Sequence, residues 1–288
     1  MIILNGKKIA EEMKEELKKK ALALREKNVT PHLAVILAGT DPASFIYVKN
    51  KQKVAKELGI TSEIIEFSEL VREREIIETI QKLNADEKVH GILVQLPLPE
   101  HIDKDKILEM VNPQKDVDCF HPENAGRLFL GIPKIFPGTP LGIITLLERY
   151  GTHFPGKHCV VVGRSNIVGK PLSLMLLQRD ATITMAHSKT KDLGEITRQA
   201  DILISATGKR HLITSEMVKD GAVVVDVGMN RDEKGKLCGD VDFENVKHKV
   251  SAITPVPGGV GPMTIVSLMK NTVEAATLHN MKHITRNK

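Results

Sequence analysis

The sequence predicts an α/β protein of two α/β domains, each with a mostly parallel sheet, and a cleft between them. Short apolar runs alternate with longer segments whose apolar residues recur every three or four positions, which is the pattern of βα units. The chain has 288 residues, enough for two separate cores. A stretch rich in proline and glycine, residues 112–138, interrupts the alternation and predicts an irregular connection between the domains.

The front half is predicted to alternate helices with strands. The helix over 41–58 is expected to begin at Asp41, a good N-cap, with Pro42 at its first position. Apolar runs bounded by polar segments predict buried strands. The expected order is helix 9–27, strand 32–38, helix 41–58, strand 62–67, helix 71–84, strand 91–96 and helix 103–111.

The back half is predicted to begin with a helix over 139–150 and to end with a helical tail over 263–281. Between them we expect a helix from Pro171 to Leu177 and strands at 159–162, 181–186, 201–206, 222–227 and 250–253. We therefore assign residues 1–138 to a first domain, with the helix over 265–288 packing back on it. Residues 139–264 form the second domain.

Composition excludes several classes of protein. The chain contains no tryptophan and two tyrosines, so both cores must be aliphatic. The net charge of +5 favours anionic ligands, but the basic residues are interleaved with glutamates and lack an aromatic stacking platform, which argues against nucleic-acid binding.

The cellular setting follows from the cysteines and the apolar runs. No apolar run reaches the length of a membrane span, and the N-terminus lacks a signal peptide, so we expect no membrane association. The three cysteines are far apart and form no C-x-x-C pair, which indicates neither a disulfide framework nor a metal site. The expected location is the cytoplasm.

A glycine-rich turn between Gly163 and Gly169 is the strongest single motif. It joins an apolar strand to a helix, an arrangement that presents backbone N–H groups and the positive helix end to an anion. We interpret it as the pyrophosphate-binding turn of a Rossmann-like domain; an ordinary strand–helix turn is the alternative. The next strand ends in His187-Ser188-Lys189 without an acidic residue, and Arg164 lies in the first turn. Because an acid would repel a ribose 2′-phosphate and a guanidinium would bind it, NADP is favoured over NAD.

Tyr47 and Lys51 are the first candidate catalytic pair. Their spacing of four places them on one face of the helix over 41–58, and a partly buried lysine has a lowered pKa suited to acid–base chemistry. A solvated lysine in the basic run with Lys49 and Lys53 is the alternative. Gln95 follows an apolar strand and can both donate and accept, although a loop-capping amide has the same pattern.

Two further segments suggest ligand contacts. Asp116 and Asp118 flank one apolar residue, so in an extended chain they would face the same side. They could bind a metal, accept from ligand N–H groups or cap a turn. The segment from Pro255 to Thr264 contains three glycines and three prolines before a helix, and its open backbone could meet an anion or a flat ring.

Taken together, the motifs resemble the bifunctional methylenetetrahydrofolate dehydrogenase/methenyltetrahydrofolate cyclohydrolase family over nearly the whole chain. Their order and spacing are far more specific than any one motif. The motifs are D-P-A-S-F-I-Y-V-K-N-K (41–51), G-I-L-V-Q-L-P-L-P (91–99), K-D-V-D (115–118), N-A-G-R-L (124–128), V-V-G-R-S-N-I-V-G-K-P (161–171), D-V-G-M-N (226–230) and P-G-G-V-G-P-M-T (257–264).

The resemblance implies an activity. Members oxidise 5,10-methylenetetrahydrofolate with NADP and hydrolyse the resulting methenyl compound to 10-formyltetrahydrofolate. It also implies roles for matching positions. Lys51 would be the central catalytic residue, Tyr47 would orient and stack on the folate, and Gln95 would hold and tune the lysine. Asp118 would hydrogen-bond the pterin. The folate pocket would be lined by Pro257, Gly258, Gly259, Val260 and Gly261, and NADP would contact Gly163, Arg164, Ser165, Ser188 and Met229.

One position departs from the family pattern. Cys119 follows K-D-V-D where members usually have glycine, so a positive φ at this position would strain the backbone beside Asp118. The family implies a homodimer that binds tetrahydrofolate derivatives. The alternatives are an amino-acid or hydroxy-acid dehydrogenase, which gives no reason for the 257–264 motif, and a non-catalytic NADP or folate sensor, which would not need Tyr47, Lys51 and Gln95 together.

Overall fold

The computed structural model describes the backbone of residues 1–286 and the side chains of residues 1–281. The strands are β1 (Ile2–Ile3), β2 (His32–Ala38), β3 (Thr61–Phe67), β4 (Gly91–Val94), β5 (His158–Val162), β6 (Thr182–Ala186), β7 (Ile202–Ser205), β8 (Val223–Asp226), β9 (Asn230–Arg231), β10 (Leu237–Cys238) and β11 (Ala252–Ile253). The helices are α1 (Gly6–Arg25), α2 (Pro42–Glu57), α3 (Glu73–Ala85), α4 (Lys104–Glu109), α5 (Pro122–Phe129), α6 (Gly138–Arg149), α7 (Gly169–Leu177), α8 (Leu193–Thr197), α9 (Phe243–Val246) and α10 (Val260–Arg286).

The chain divides into two compact units. The three-stranded unit comprises residues 12–138 and the chain from Ile265 onward, and the six-stranded unit comprises Met1–Glu11 and Thr139–Thr264. We expected the first eleven residues to belong with the front half. They belong instead with the back half, because β1 pairs in parallel with β11 and Leu4 donates its N–H to Ile253.

The three-stranded unit is built on a parallel sheet in the order β3-β2-β4. Its central strand β2 has the bounds expected from the sequence, since its run of apolar residues is buried along almost its whole length. The buried side chains of this sheet pack against α3 and α4 around Ile76, Ile80 and Ile107, none of which is exposed. Apolar burial of this kind stabilises the unit and fixes the carboxyl ends of its strands.

The six-stranded unit contains a parallel sheet in the order β1-β11-β8-β7-β5-β6, together with the β9–β10 hairpin. The strand order reverses beside β5, as in Rossmann-like sheets that bind ligands at this point. Its core is aliphatic, as the composition predicts: Val160, Leu203, Val224 and Ile253 are fully buried. The expected fold class of two α/β units with mostly parallel sheets is therefore confirmed.

The connection over 112–138, expected to be irregular, contains a helix. His121 caps α5 by accepting the N–H of Glu123 through Nδ1 at 3.0 Å, and Pro122 occupies the first position. A proline at the first helical position costs no hydrogen bond, so a residue taken as a breaker starts a helix here.

Candidate active site

Helix α2 carries the candidate lysine on its buried face. Asp41 accepts the N–H of Ser44 at 2.9 Å and so caps the helix, as expected. Ser44, Val48 and Ala55 are buried, and Lys51 lies on the same stripe at helical spacing. The structure therefore places Lys51 where the apolar face of the helix would otherwise continue, half-buried rather than solvated.

Lys51 and Gln95 are in direct contact. The Lys51 amine donates to Gln95 Oε1 at 2.9 Å, and Gln95 Nε2 donates to the carbonyl oxygen of Leu96 at 2.7 Å. The backbone N–H of Gln95 donates to Ile36 at 2.9 Å, which fixes the residue at the end of β4 beside β2. The amide orientation leaves its oxygen to accept from the lysine, so Gln95 is more than a loop cap.

Burial and a neighbouring carboxylate shift the pKa of Lys51 in opposite directions. Burial lowers the pKa of Lys51, while the negative charge of Asp118 opposes the shift. Burial raises the pKa of Asp118 to about 6, with Lys51 opposing and Asp116 adding to the shift. An amine with a lowered pKa is neutral, and able to accept a proton, over a wider pH range than a solvated lysine.

The two carboxylates of K-D-V-D have different partners. Asp116 is buried and accepts from the N–H groups of Phe120 and His121 and from Asn124 Nδ2, at 3.2, 2.9 and 2.8 Å. Asp116 therefore holds the turn, whereas Asp118 interacts electrostatically with Lys51. Among the residues that the structure describes, no three histidine, cysteine or acidic side chains group as a metal site.

Cys119 adopts the left-handed conformation that its position demands. Its φ is 61°, so the strain expected for a residue other than glycine is present. The thiol is buried and donates to the carbonyl oxygen of Ile135 at 3.4 Å. This contact anchors the chain directly after Asp118.

Two buried polar residues that sequence reasoning missed support this segment. Asn271 of α10 donates through Nδ2 to the carbonyl oxygens of Val117 and Phe136 at 2.8 and 2.7 Å. Lys115 donates to three carbonyl oxygens at the end of α3, at 2.7 to 2.9 Å. The one available signal was a polar residue among the apolar positions of the tail helix, since the partners of Asn271 are far away in sequence.

The glycine-rich turn of the six-stranded unit requires glycine at both ends. Gly163 has a φ of 128°, and a Cβ there would clash with the carbonyl oxygen of Ala206. A Cβ on Gly169 would clash with the carbonyl oxygen of Gly163. The turn is thus a cradle packed closely against backbone at both glycines, as in the glycine-rich turns that bind a dinucleotide pyrophosphate.

Ser165 changes how the cradle would bind an anion. Its Oγ accepts the N–H groups of Val168 and Gly169 at 3.2 and 3.4 Å, so these amides at the start of α7 are satisfied within the chain. The expectation that free amides of this helix end face the ligand is wrong for these two groups. The hydroxyl hydrogen of Ser165 remains to donate outward, since Oγ already accepts twice.

Arg164 and Ser188 follow neighbouring strands. Val162 pairs with Ala186 in the parallel register of β5 and β6, so each candidate residue lies two positions beyond a paired residue. Both side chains are exposed at the same edge of the sheet. A guanidinium and a hydroxyl that follow adjacent strands are suited to binding the 2′-phosphate of NADP.

The remaining predicted residues also lie in the six-stranded unit. Met229 follows β8 with 47% of its surface exposed. In the loop before α10, Gly258 has a φ of 107° and its carbonyl oxygen accepts the N–H of Lys7 at 3.0 Å. Gly259 is buried, and a Cβ there would clash with the carbonyl oxygen of Pro255 and the side chain of Thr254. Pro257 is exposed, and Gly261 is half-buried beside the buried Val260.

Comparison with known proteins assigns both units. The family model described as "Tetrahydrofolate dehydrogenase/cyclohydrolase, catalytic domain" matches residues 4–118. The model described as "Tetrahydrofolate dehydrogenase/cyclohydrolase, NAD(P)-binding domain" matches residues 137–280. Bifunctional protein FolD from an Exiguobacterium species is 55% identical over 276 residues, covering 96% of this chain and 99% of that protein.

Solved structures agree with the sequence relatives. The crystal structure of the bifunctional FolD dehydrogenase/cyclohydrolase from Campylobacter jejuni matches with a TM-score of 0.95 at 52% identity, covering 96% of this chain and 99% of that one. The Trypanosoma brucei enzyme, solved with NADP cofactor and inhibitor, matches with a TM-score of 0.93 at 37% identity, covering 96% and 98%. The chain therefore belongs to the tetrahydrofolate dehydrogenase/cyclohydrolase family of bifunctional FolD enzymes.

Proposed function

We propose that this chain oxidises 5,10-methylenetetrahydrofolate to 5,10-methenyltetrahydrofolate with NADP and hydrolyses the product to 10-formyltetrahydrofolate, with Lys51 as the residue that moves protons. The observation that carries this proposal is the half-buried Lys51 amine, bonded to Gln95 and placed in the field of Asp118 within the catalytic domain of the family.

The lysine suits the hydrolytic step. Water bonds through its oxygen to the methenyl carbon and loses one proton to the neutral Lys51 amine, which releases it to solvent. The second proton moves from the new hydroxyl to the leaving ring nitrogen as the carbon–nitrogen bond breaks. Because the methenyl group is cationic, the lowered pKa of Lys51 helps, since it favours the neutral amine, which does not repel that cation.

The neighbours of Lys51 hold it and the substrate. Gln95 accepts from the amine and so fixes its direction. Asp118, with its pKa raised to about 6, is ionised at neutral pH and accepts from N–H groups of the pterin. Tyr47 lies one helical turn before Lys51 on α2 and offers a ring face for the folate. In the six-stranded unit, the proposed folate-binding residues are Pro257, Gly258, Gly259, Val260 and Gly261, as the family resemblance implies.

The six-stranded unit holds the cofactor. NADP, when bound, supplies a hydride acceptor for the methylene carbon. Gly163 and Ser165 would hold its pyrophosphate, Arg164 and Ser188 its 2′-phosphate, and Met229 its nicotinamide end. The Gly163–Gly169 cradle supports this assignment, since neither glycine has room for a Cβ, as in glycine-rich turns that bind dinucleotides.

We further propose a cytoplasmic homodimer. Strand β6 forms an edge of the six-stranded sheet, and its Ile183 and Met185 are only half-buried, which suits pairing with a second copy. All three cysteines are free, as in a reducing compartment. In the described part of the chain, no helix is long and apolar enough to span a membrane.

Two absorbance assays test the activity. Mixing the protein with methylenetetrahydrofolate and NADP should produce the absorbance of NADPH, and adding methenyltetrahydrofolate alone should give loss of its absorbance. Replacing NADP by NAD should slow the first reaction. Absence of both signals would contradict the proposal, and faster oxidation with NAD would overturn the roles of Arg164 and Ser188. Sedimentation analysis that shows only monomer at micromolar concentration would refute the dimer.

A further inference from the structure

Two buried aspartates lie at the carboxyl edge of the six-stranded sheet. Asp226 ends β8 with 3% of its surface exposed, and Asp240 is fully buried. In the part of the chain that the structure describes, neither carboxylate forms an ion pair with a lysine, arginine or histidine. Such charges are costly to bury unless hydrogen bonds satisfy them, so their partners show what they do.

Asp226 fixes backbone on both sides of the β9–β10 hairpin. Its Oδ1 accepts the N–H groups of Gly228 and Asp240, and its Oδ2 accepts that of Val241, each at 2.9 Å. Burial raises the pKa of Asp226 to about 6, so at neutral pH the carboxylate is ionised and can accept all three. A Cβ on Gly228 would clash with the Asp240 carboxylate, and a Cβ on Gly239 would clash with the Asp226 carboxylate. Glycine at both positions therefore allows the two carboxylates to pack against the backbone.

Asp240 in turn holds two loops. Its Oδ2 accepts from Ser205 Oγ at 3.1 Å, from Thr207 N and Oγ1 at 2.7 and 2.9 Å, and from Gly208 N at 3.3 Å. Its Oδ1 accepts from Asn230 Nδ2 at 2.9 Å. One carboxylate therefore joins the loop after β7 to the loop after β8.

These loops border the glycine-rich cradle. The carbonyl oxygen of Ala206, directly before Thr207, fills the space where a Cβ of Gly163 would lie. The loop after β8 carries the exposed Met229. In parallel α/β sheets, ligands bind at this carboxyl edge. The loops that Asp240 fixes are thus the walls beside the cradle assigned to NADP.

We propose that Asp226 and Asp240 are positioning residues for the dinucleotide, which fix the loops 206–208 and 228–230 in the conformation that receives its nicotinamide half. This inference rests on the proposed function, because it needs the cofactor to lie against the Gly163 cradle. The acidic side chain is required at Asp240, since an amide in its place would turn a donor toward one set of the N–H and O–H groups that now converge on it.

The test separates cofactor binding from folding and from hydrolysis. For Asp240→Asn, we expect the dissociation constant for NADP, measured by titration calorimetry, to rise about tenfold or more, as for loss of a charged hydrogen-bond hub. The KM for NADP should rise similarly, while hydrolysis of methenyltetrahydrofolate, assigned to Lys51, stays near that of the wild type. Asp242→Asn is the matched control, since it removes the same charge two residues away and leaves both loops untouched.

A milder pair keeps the test decisive if Asp240→Asn does not fold. Thr207→Val removes one hydroxyl bond to Asp240, and Thr207→Ser restores it. We expect weaker NADP binding in Thr207→Val and recovery in Thr207→Ser. If Asp240→Asn folds and binds NADP with unchanged affinity, the inference is overturned. If Asp240→Asn does not fold, unchanged NADP affinity in Thr207→Val overturns it. A wild type that neither binds NADP nor hydrolyses methenyltetrahydrofolate would instead overturn the proposed function.

Discussion

Replacing Gln95 by glutamate should move the pH profile of the cyclohydrolase reaction to higher pH. The variant places a negative charge where an amide oxygen now accepts from Lys51 at 2.9 Å. At an effective dielectric constant of about 20, a charge pair at this distance gains about 6 kcal/mol, or about four pKa units. The cost of burying a second charge removes half or more of this, so we expect the pKa of Lys51 to rise by about one to two units.

The direction of the activity change follows from which form of Lys51 works. The neutral amine accepts the proton from water, so activity should rise with pH through the lysine pKa, which burial now lowers. Raising that pKa moves the rising limb of the pH profile to higher pH and lowers activity at each pH along that limb. The assay is the loss of methenyltetrahydrofolate absorbance, measured from about pH 5.5 to about pH 9.

Gln95→Met is the matched control, because it keeps the size of the side chain and adds no charge. Its rate should fall through loss of the hydrogen bond, but its rising limb should not move to higher pH. If the rising limb of the pH–activity profile stays in place in Gln95→Glu, or moves to lower pH, the role of neutral Lys51 as proton acceptor is refuted.

Three further changes test other parts of the site. Lys51→Arg keeps the charge but cannot lose its proton near neutral pH, so hydrolysis should fall about a hundredfold or more while oxidation falls far less. Gly163→Ala should weaken NADP binding about tenfold or more in calorimetry, since the new Cβ clashes with a carbonyl oxygen and φ is 128°. Asn271→Ala leaves two buried carbonyl oxygens without their donor and should lower the free energy of unfolding by about 2–4 kcal/mol in denaturant titration, with a raised KM for folate.

Matched variants make these outcomes specific. Lys53→Arg changes an exposed lysine on the same helix and should leave both activities intact. Gly156→Ala also lies at positive φ, 72°, but has open space around the new Cβ, so NADP affinity should persist. The role of Lys51 would be contradicted if Lys51→Arg retained hydrolysis as well as oxidation. The role of Gly163 would be contradicted if Gly163→Ala bound NADP as tightly as Gly156→Ala does. The role of Asn271 would be contradicted if Asn271→Ala left the KM for folate unchanged.

The sequence predicted local features well because their causes are local. The seven-residue run of β2 and the cap at Asp41 depend on neighbouring residues, and both were found. The spacing of Tyr47 and Lys51 likewise predicted a shared helix face. Helix α5 was missed because a proline such as Pro122 can either break a helix or occupy its first position. Only the cap at His121 distinguishes the two cases.

Features that depend on distant partners could not be predicted. Asn271 reaches a carbonyl oxygen 154 positions earlier, and Asp240 binds Thr207 33 positions away. A sequence motif indicates that a segment has a special role, but it does not predict which distant residue will contact that segment. Ser165 shows the same limit at short range, since its hydroxyl competes with a ligand for the amides that the motif alone would assign to a phosphate.

The pairing of β1 with β11 has a consequence for synthesis on the ribosome. Ile2 is made before its sheet partner Ala252, which follows 250 residues later in the chain. At roughly 5–20 residues per second, β1 waits on the order of 10–50 s for its partner strand. Met1, Ile2 and Ile3 remain apolar and accessible in the finished fold as well, so during translation this short segment is a natural site for a chaperone to bind.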